Sequence, residues 1–400
     1  MDIEIRTATR DDFAEMTRVD GASFGFTYEP AEIEDVLSIA DPDRFLLATD
    51  GGAIVGIAGD YPFAMTVPGG GSVDVAGVTW VSVSPTHRRR GVLRTLMDRQ
   101  LRDYVDAGLP AAILTASESG IYGRFGYGTA SHNSRLVVDR RRARLSDPGD
   151  FGPVRLASPE QARAAMPEIH ERWCAQVPGA LRRNAARWDV MIRDLPSARH
   201  GQSGLFYLLH ADGYVVYRAV MDWKDWDAHN VCRIVGYATT TPQAHAALWQ
   251  VLLGLDLFST IETEMVPLDD PIALLLTEPR QVRPKSVTDG VWVRPLDVPA
   301  LLGARRYAIE VDAVIEVHDD LTAQGRYLLR GGPDGATCER TDRTPDLSGP
   351  IATLGALSLG GQRLQSLARA GQVRVDDSAL AQRLDRALLA DRAPFHGTPF

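Results

Sequence analysis

Residues 81–94, Val-Ser-Val-Ser-Pro-Thr-His-Arg-Arg-Arg-Gly-Val-Leu-Arg, constrain the fold of this chain more than any other stretch, because they read as a strand running straight into a helix start. Thr79, Val81 and Val83 alternate at period two, Pro85 ends the strand, and Gly91 opens an amphipathic run in which Leu93, Leu96, Met97 and Leu101 recur at helical spacing. The first amides of such a helix lack partners within it and carry the positive end of its dipole, so they hold a diphosphate well. Arg88, Arg89 and Arg90 add cations, and Gly91 lets the backbone come close. A solvated basic turn ahead of an ordinary surface helix is the competing reading.

The bulk properties narrow what that junction can serve. With 400 residues and 44% hydrophobic content, the chain exceeds what one core usually supports, which predicts two or three domains. Its 52 acidic against 43 basic residues leave a net charge of −9, which disfavours nucleic acid and anionic membrane as partners. Cys174, Cys232 and Cys338 have neither C-x-x-C nor Cys/His spacing, so no disulfide framework and no metal site is indicated, and buried reduced thiols are expected. The opening Met-Asp-Ile-Glu-Ile-Arg lacks the charged and apolar regions of a signal peptide, and no apolar run approaches the ~20 residues that span a bilayer. The expectation is a soluble cytoplasmic protein, with signal-independent secretion left open.

The run Arg88-Arg89-Arg90-Gly91-Val92-Leu93 resembles motif A of the GNAT N-acetyltransferases, Arg/Gln-x-x-Gly-x-Gly/Ala. A second stretch, residues 115–128, Thr-Ala-Ser-Glu-Ser-Gly-Ile-Tyr-Gly-Arg-Phe-Gly-Tyr-Gly, narrows the likeness. Together with the length and the terminal Phe400 it resembles the Eis-type (enhanced intracellular survival) acetyltransferases of actinobacteria. The resemblance is dense over residues 77–130 and thin elsewhere. It implies an α/β chain with mixed sheets, in which two tandem GNAT-like domains precede a sterol carrier protein-like domain. It also implies acetyl-CoA as cosubstrate, no metal, a small-molecule amine as acceptor and assembly as a homohexamer.

The pattern along the chain agrees with that division. Residues 1–150 alternate strand and helix signals: Ile3–Thr7, a helix through Asp11–Val19, strands at Phe45–Thr49 and Ala53–Gly59, the long strand and its helix, then Ala111–Thr115. Residues 140–153, charged and then rich in Gly and Pro, read as a linker. Residues 151–290 repeat the style, with strands at Leu205–Leu209, Tyr214–Met221 and Val231–Tyr237 and an amphipathic helix over Thr241–Leu253. The junction there, Gly236-Tyr-Ala-Thr-Thr-Thr-Pro-Gln243, has no Arg and no Gly at the helix start, so it reads as a catalytically empty GNAT-like domain or as an unrelated α/β domain. Residues 291–400 begin with Trp292-Val-Arg, continue through strands Ala313–Val317 and Arg326–Leu329, and finish with helices around Gln362–Ala368 and Asp377–Leu389.

Acetyl transfer from a thioester to an amine requires a deprotonated amine, a polarised carbonyl and a proton for the departing thiolate. By the resemblance, Val81, Ser82 and Val83 present main-chain groups to the pantetheine and thioester. Arg89, Arg90, Gly91, Val92, Leu93 and Arg94 hold the pyrophosphate, and Ser117 and Glu118 approach from the next strand. Tyr122 is the implied acid, since a phenol of pKa about 10 is a suitable donor to a thiolate; Tyr127 fits packing better. The implied base is the α-carboxylate of Phe400. Glu118 and His396 are rival bases, although Glu118 also suits a helix cap.

The chain departs from the aminoglycoside-modifying pattern, in which acidic groups early in the chain and just before the C-terminus line the acceptor pocket. Here those segments are Ala22-Ser-Phe-Gly-Phe-Thr-Tyr28 and Thr398-Pro399-Phe400, with Glu29, Glu32, Glu34 and Asp35 as substitutes or as a solvated helix start. An aminoglycoside or a smaller, more apolar amine is therefore the expected acceptor. Acetylation of protein lysines and a non-catalytic sensor of acyl-CoA or lipid are the other readings.

Overall fold

The computed structural model describes residues 3–400, which form two compact units. The first takes the chain up to Ser131, Gly290–Asp391 and Phe400; the second takes His132–Asp289 and Arg392–Pro399.

The first unit opens with β1 (Ile3–Thr7), helices α1 (Phe13–Phe24) and α2 (Pro30–Ile39), and the antiparallel run β2 (Phe45–Asp50), β3 (Ala53–Thr66) and β4 (Ser72–Val83). Helix α3 (Val92–Asp106) brings the chain back as β5 (Ala111–Thr115), parallel to β4, and α4 (Ser119–Tyr122) and β6 (Gly128–Thr129) follow. Of the residues read at helical spacing, Leu96, Met97 and Leu101 are buried in α3, together with Val92 and Tyr104, while Leu93 is half-buried.

The second unit runs through β7 (His132–Asp139), β8 (Arg155–Ala157), α5 (Pro159–Cys174), α6 (Ala185–Arg193), β9 (Phe206–His210) and β10 (Gly213–Val220). A small hairpin, β11 (Trp223–Lys224) and β12 (Asp227–Ala228), precedes β13 (Asn230–Thr239), α7 (Pro242–Leu253), β14 (Phe258–Thr263), β15 (Val266–Pro267), α8 (Ile272–Leu275) and β16 (Val282–Asp289). Eight strands make one sheet in the order β15-β7-β14-β13-β10-β9-β8, with β16 also on β7. Strand β7 lies ahead of the linker expected at 140–153, so the chain changes sheet at Ser131–His132. The tail docks on this unit. Phe395 donates its N–H to the Pro178 carbonyl at 2.8 Å, the Leu181 N–H donates to the His396 carbonyl at 3.2 Å, and Arg183 reaches Thr398 Oγ1 at 2.9 Å.

The first unit then resumes with β17 (Val291–Pro295), α9 (Val298–Gly303), β18 (Val311–His318), β19 (Gly325–Gly332), β20 (Gly335–Arg340), β21 (Leu347–Pro350), α10 (Ile351–Leu357), α11 (Leu364–Arg369), β22 (Arg374–Val375) and α12 (Ser378–Leu388). Trp292-Val-Arg, read as the opening of a third domain, is the centre of β17, which inserts between β5 and β6 and completes the seven-stranded order β1-β2-β3-β4-β5-β17-β6. Five strands form a separate sheet, β20-β19-β18-β21-β22, whose core takes Leu354, Leu364, Leu384 and Leu388 from the helices. A buried ion pair, Arg294 to Asp319 at 2.7 Å, ties β17 to the end of β18.

None of the three cysteines is in a disulfide among the described residues; Cys174 and Cys232 are buried and Cys338 half-buried, and burial pushes each thiol's pKa up, Cys174 and Cys338 to about 12.

Candidate active site

The site grows out of the way β4 parts from β5. The two strands pair in parallel only over Val75–Gly77 and Ala111–Ile113, after which β5 continues beside β17 while β4 runs on with β3 alone. Residues 78–83 of β4 therefore have one edge without a strand, and main-chain groups on that edge are available to a ligand. Within this stretch β4 bulges. Thr79 faces Gly59 and Ser82 faces Ile57, so Trp80 and Val81 together oppose Ala58. Trp80 takes the left-handed φ of 54°, a costly conformation for a bulky residue, held by edge-on Phe13 and Phe45 and by Tyr28 stacked at 5.5 Å.

Beyond the bulge the strand ends at Val83, and a short turn carries Arg88, Arg89 and Arg90 to the start of α3. Arg89 and Gly91 both have left-handed φ, 62° and 85°. Among the described residues no side chain caps α3, so its first amides stay open at a helix of 15 residues. A Cβ on Gly91 meets nothing within 4 Å, so this glycine is required for its φ rather than for room. These elements border a cavity of about 730 Å3 lined by Val81, Ser82, Val83, Arg89, Gly91, Val92, Leu93 and Arg94. Ser117, Glu118 and Tyr122 line it as well. Of the cofactor residues expected from sequence, Arg90 alone is not on the wall; it is exposed in the same turn. Ser23 and Arg124 line the cavity without having been assigned to it, and Arg88, read from the sequence as a cation of this junction, lines it too and donates to the Ser23 carbonyl at 3.2 Å.

Tyr122 closes α4 and is buried against Tyr127, ring centroids 6.1 Å apart and nearly perpendicular. Burial, with the Glu118 charge nearby, pushes its phenol up to about 12, which keeps it protonated across the physiological range. Tyr127 is fully buried, its hydroxyl has no hydrogen-bond partner among the described residues, and burial raises its pKa. Glu118 sits at the N-cap position of α4 but makes no capping bond, so the cap expected of it is absent.

Phe400 lies in the first unit. Its ring is 5.2 Å from that of Phe63, and a Cβ on Gly77 would come within 3.2 Å of its Cδ2. Gly77 is the last β4 residue paired with β5, so the terminal residue covers the point where the strands separate. Neither Phe63 nor Gly77 was marked by sequence: a glycine inside an apolar strand signals only that some group comes close. His396 differs from expectation. It is 1% exposed in the second unit, its Nδ1 2.9 Å from the Thr398 carbonyl, and burial with Arg183 nearby pulls its pKa down to about 4 instead of near neutrality. Of the early acids, Glu32 accepts the Glu29 N–H at 2.9 Å at the start of α2, Glu34 is exposed and Asp35 is buried. An acid that sequence reasoning missed is Asp20, buried on α1, which accepts the Tyr28 hydroxyl at 2.9 Å beside Ser82; burial raises its pKa.

The GNAT acetyltransferase domain matches residues 4–130 and, through a second family of the same description, residues 179–295; a sterol carrier protein domain matches residues 298–397. The N-acetyltransferase Eis of Mycobacterium tuberculosis is 38% identical over 403 residues, covering 98% of each chain. An uncharacterised N-acetyltransferase of Streptomyces coelicolor is 40% identical over 375 residues, 90% of this chain and 91% of that one. The crystal structure of Eis1 from Mycobacterium abscessus superposes with a TM-score of 0.88 at 33% identity, covering all of both chains.

Proposed function

The chain belongs to the Eis family of GNAT N-acetyltransferases, and we propose that it carries the acetyl group of acetyl-CoA directly to the primary amine of a small molecule. The observation that carries this reading is the open edge of β4, which shares one cavity with the uncapped start of α3 and with a buried, protonated tyrosine. Acetyl-CoA supplies an activated thioester. The α3 amides at Val92, Leu93 and Arg94, with the Arg89 and Arg90 cations, suit its pyrophosphate, and main-chain groups of Val81 and Val83 suit its pantetheine arm and carbonyl. Ser82, Gly91, Ser117 and Glu118 complete the wall.

In the reaction the amine nitrogen forms a bond to the acetyl carbon as the carbon–sulfur bond breaks. Tyr122 gives its phenolic proton to the sulfur, and the α-carboxylate of Phe400 takes the proton released by the amine. His396 is a poor base because burial favours its neutral ring without basicity near pH 7. The second GNAT-like domain is catalytically empty in this reading, and the sterol carrier-like domain supplies the terminal residue. The family resemblance also supports a homohexamer in the cytoplasm, which light scattering and fractionation test; among the described residues no helix is long and apolar enough to cross a membrane.

Steady-state release of CoA from acetyl-CoA, measured with aminoglycosides, polyamines, arylalkylamines and lysine peptides, tests the proposal. Turnover with a small amine supports it, and turnover confined to peptides moves the activity to protein lysines. CoA binding without turnover on any of these amines identifies a sensor.

A further inference from the structure

The second unit holds a cavity of its own, about 360 Å3, where β13 passes into α7. Its floor is a buried pair. His245, 4% exposed, sets Nε2 at 3.2 Å from Asp270 Oδ1, and that oxygen also accepts the Ile272 N–H at 3.0 Å. A carboxylate on Nε2 assigns the ring proton to that nitrogen, which leaves Nδ1 as an acceptor; it is buried with no hydrogen-bond partner among the described residues. The walls are aromatic: Trp173 and Phe395, ring centroids 6.1 Å apart and nearly perpendicular, and Tyr237, whose ring is 5.8 Å from that of His245. Asp269, also on the wall, accepts the Ala393 N–H at 2.7 Å through Oδ2. Arg392 is the one cation on the wall against Asp269 and Asp270, so the lining is net negative.

We propose that this cavity binds a small aromatic amine, with its ring against Trp173 and Phe395 and its ammonium on the Asp269 carboxylate. Each feature has a separate reason. The volume lies in the range of small-molecule sites and suits one ring with a short side chain. Aromatic walls beside carboxylates attract a cation that carries an apolar body. The phosphate-binding groups of the first unit are missing here, because Thr241 caps α7 with its own side chain, accepting the Ala244 N–H at 3.2 Å, and Pro242 has no N–H. The inference stands apart from the acetyl-transfer reading, since it uses none of the residues assigned to that reaction.

The probe that tests it is N,N-dimethylphenethylamine, a tertiary amine that carries an ammonium proton but cannot be acetylated, titrated into the full chain. The indole 15N–1H signal of Trp173 reports binding, and hydrogen exchange of the Ala393 and Phe395 amides gives a second readout. The expected result is a saturable shift of Trp173 with slowed exchange at both amides, and binding at least about tenfold weaker for uncharged 2-phenylethanol. Asp269→Asn keeps an oxygen for the Ala393 N–H but removes the charge, and is expected to weaken the amine about tenfold while leaving the alcohol unchanged. No Trp173 shift with the amine, equal affinity for amine and alcohol, or an Asp269→Asn protein that binds the amine as tightly as wild type would each overturn the proposal.

Discussion

The β4–α3 and β13–α7 junctions are built alike and equipped differently. Each strand runs parallel to the next strand of its sheet and then leaves it, β4 after Gly77 and β13 after Ile234. Each also carries an extra residue against its antiparallel neighbour, around Trp80–Val81 in β4 and at Val235 in β13. The helix starts then diverge. Gly91 leaves the α3 amides uncapped behind three arginines, whereas Thr241 and Pro242 occupy or remove the donors of α7. The strand geometry is thus a property of the fold, and on the proposed reading the ability to hold a diphosphate rests on a few residues at the helix start.

The comparison breaks most easily at the chemistry. Tyr122→Phe should lower amine acetylation by ~10²-fold or more with the KM for acetyl-CoA little changed, and one residue added after Phe400 should have an effect of similar size. Wild-type-like turnover in the extended chain would remove the terminal carboxylate from the mechanism. Because the phenol loses its proton only as pH rises toward about 12, acid catalysis should persist through pH 10, its ordinary pKa, with no falling basic limb in kcat.

At the helix starts the expected effects are smaller. Gly91→Val places a branched side chain at a φ of 85°, worth ~1–2 kcal/mol of strain, and should raise the KM for acetyl-CoA about tenfold while kcat holds. The matching change in the second unit, Thr241→Ala, removes a cap and should cost about 1 kcal/mol of stability by denaturant titration, with the KM for acetyl-CoA unmoved. An equal rise in KM from both substitutions would mean that the two junctions are not functionally distinct.

A further effect concerns the docked tail. His396 is held neutral, with its pKa lowered from 6.5 to about 4, so the unfolded chain takes up a proton that the folded chain refuses as pH falls through this window. Stability should therefore decline from pH 6.5 toward 4, and His396→Gln should flatten part of that decline in pH-dependent melting. His170, likewise buried and held neutral, accounts for a further part.

What the sequence made legible was local. Ala111–Thr115 and the start of α3 were read to the residue, because alternation, a proline and a glycine mark them within a short window. The residues of the cavity wall were expected from the family resemblance of residues 81–94 and 115–128, not from periodicity. The bulge at Trp80 was not legible, since a single left-handed φ leaves no trace in apolar periodicity, and neither was the Phe63–Gly77–Phe400 contact, which joins residues far apart in the chain. His396 looked like a neutral-pH base because a sequence shows its residue type and not its burial.

Strand β17 has a consequence for how the protein is made. Its neighbours β5 and β6 leave the ribosome long before Val291–Pro295, and at about 5–20 residues per second the interval from Thr129 to Pro295 lasts on the order of ten seconds or more. For that time the nascent first sheet carries an open edge along Ala111–Thr115, available to any extended chain nearby. A gene fragment ending at Ser131 makes that interval permanent, so this half of the protein is one that translation cannot release early.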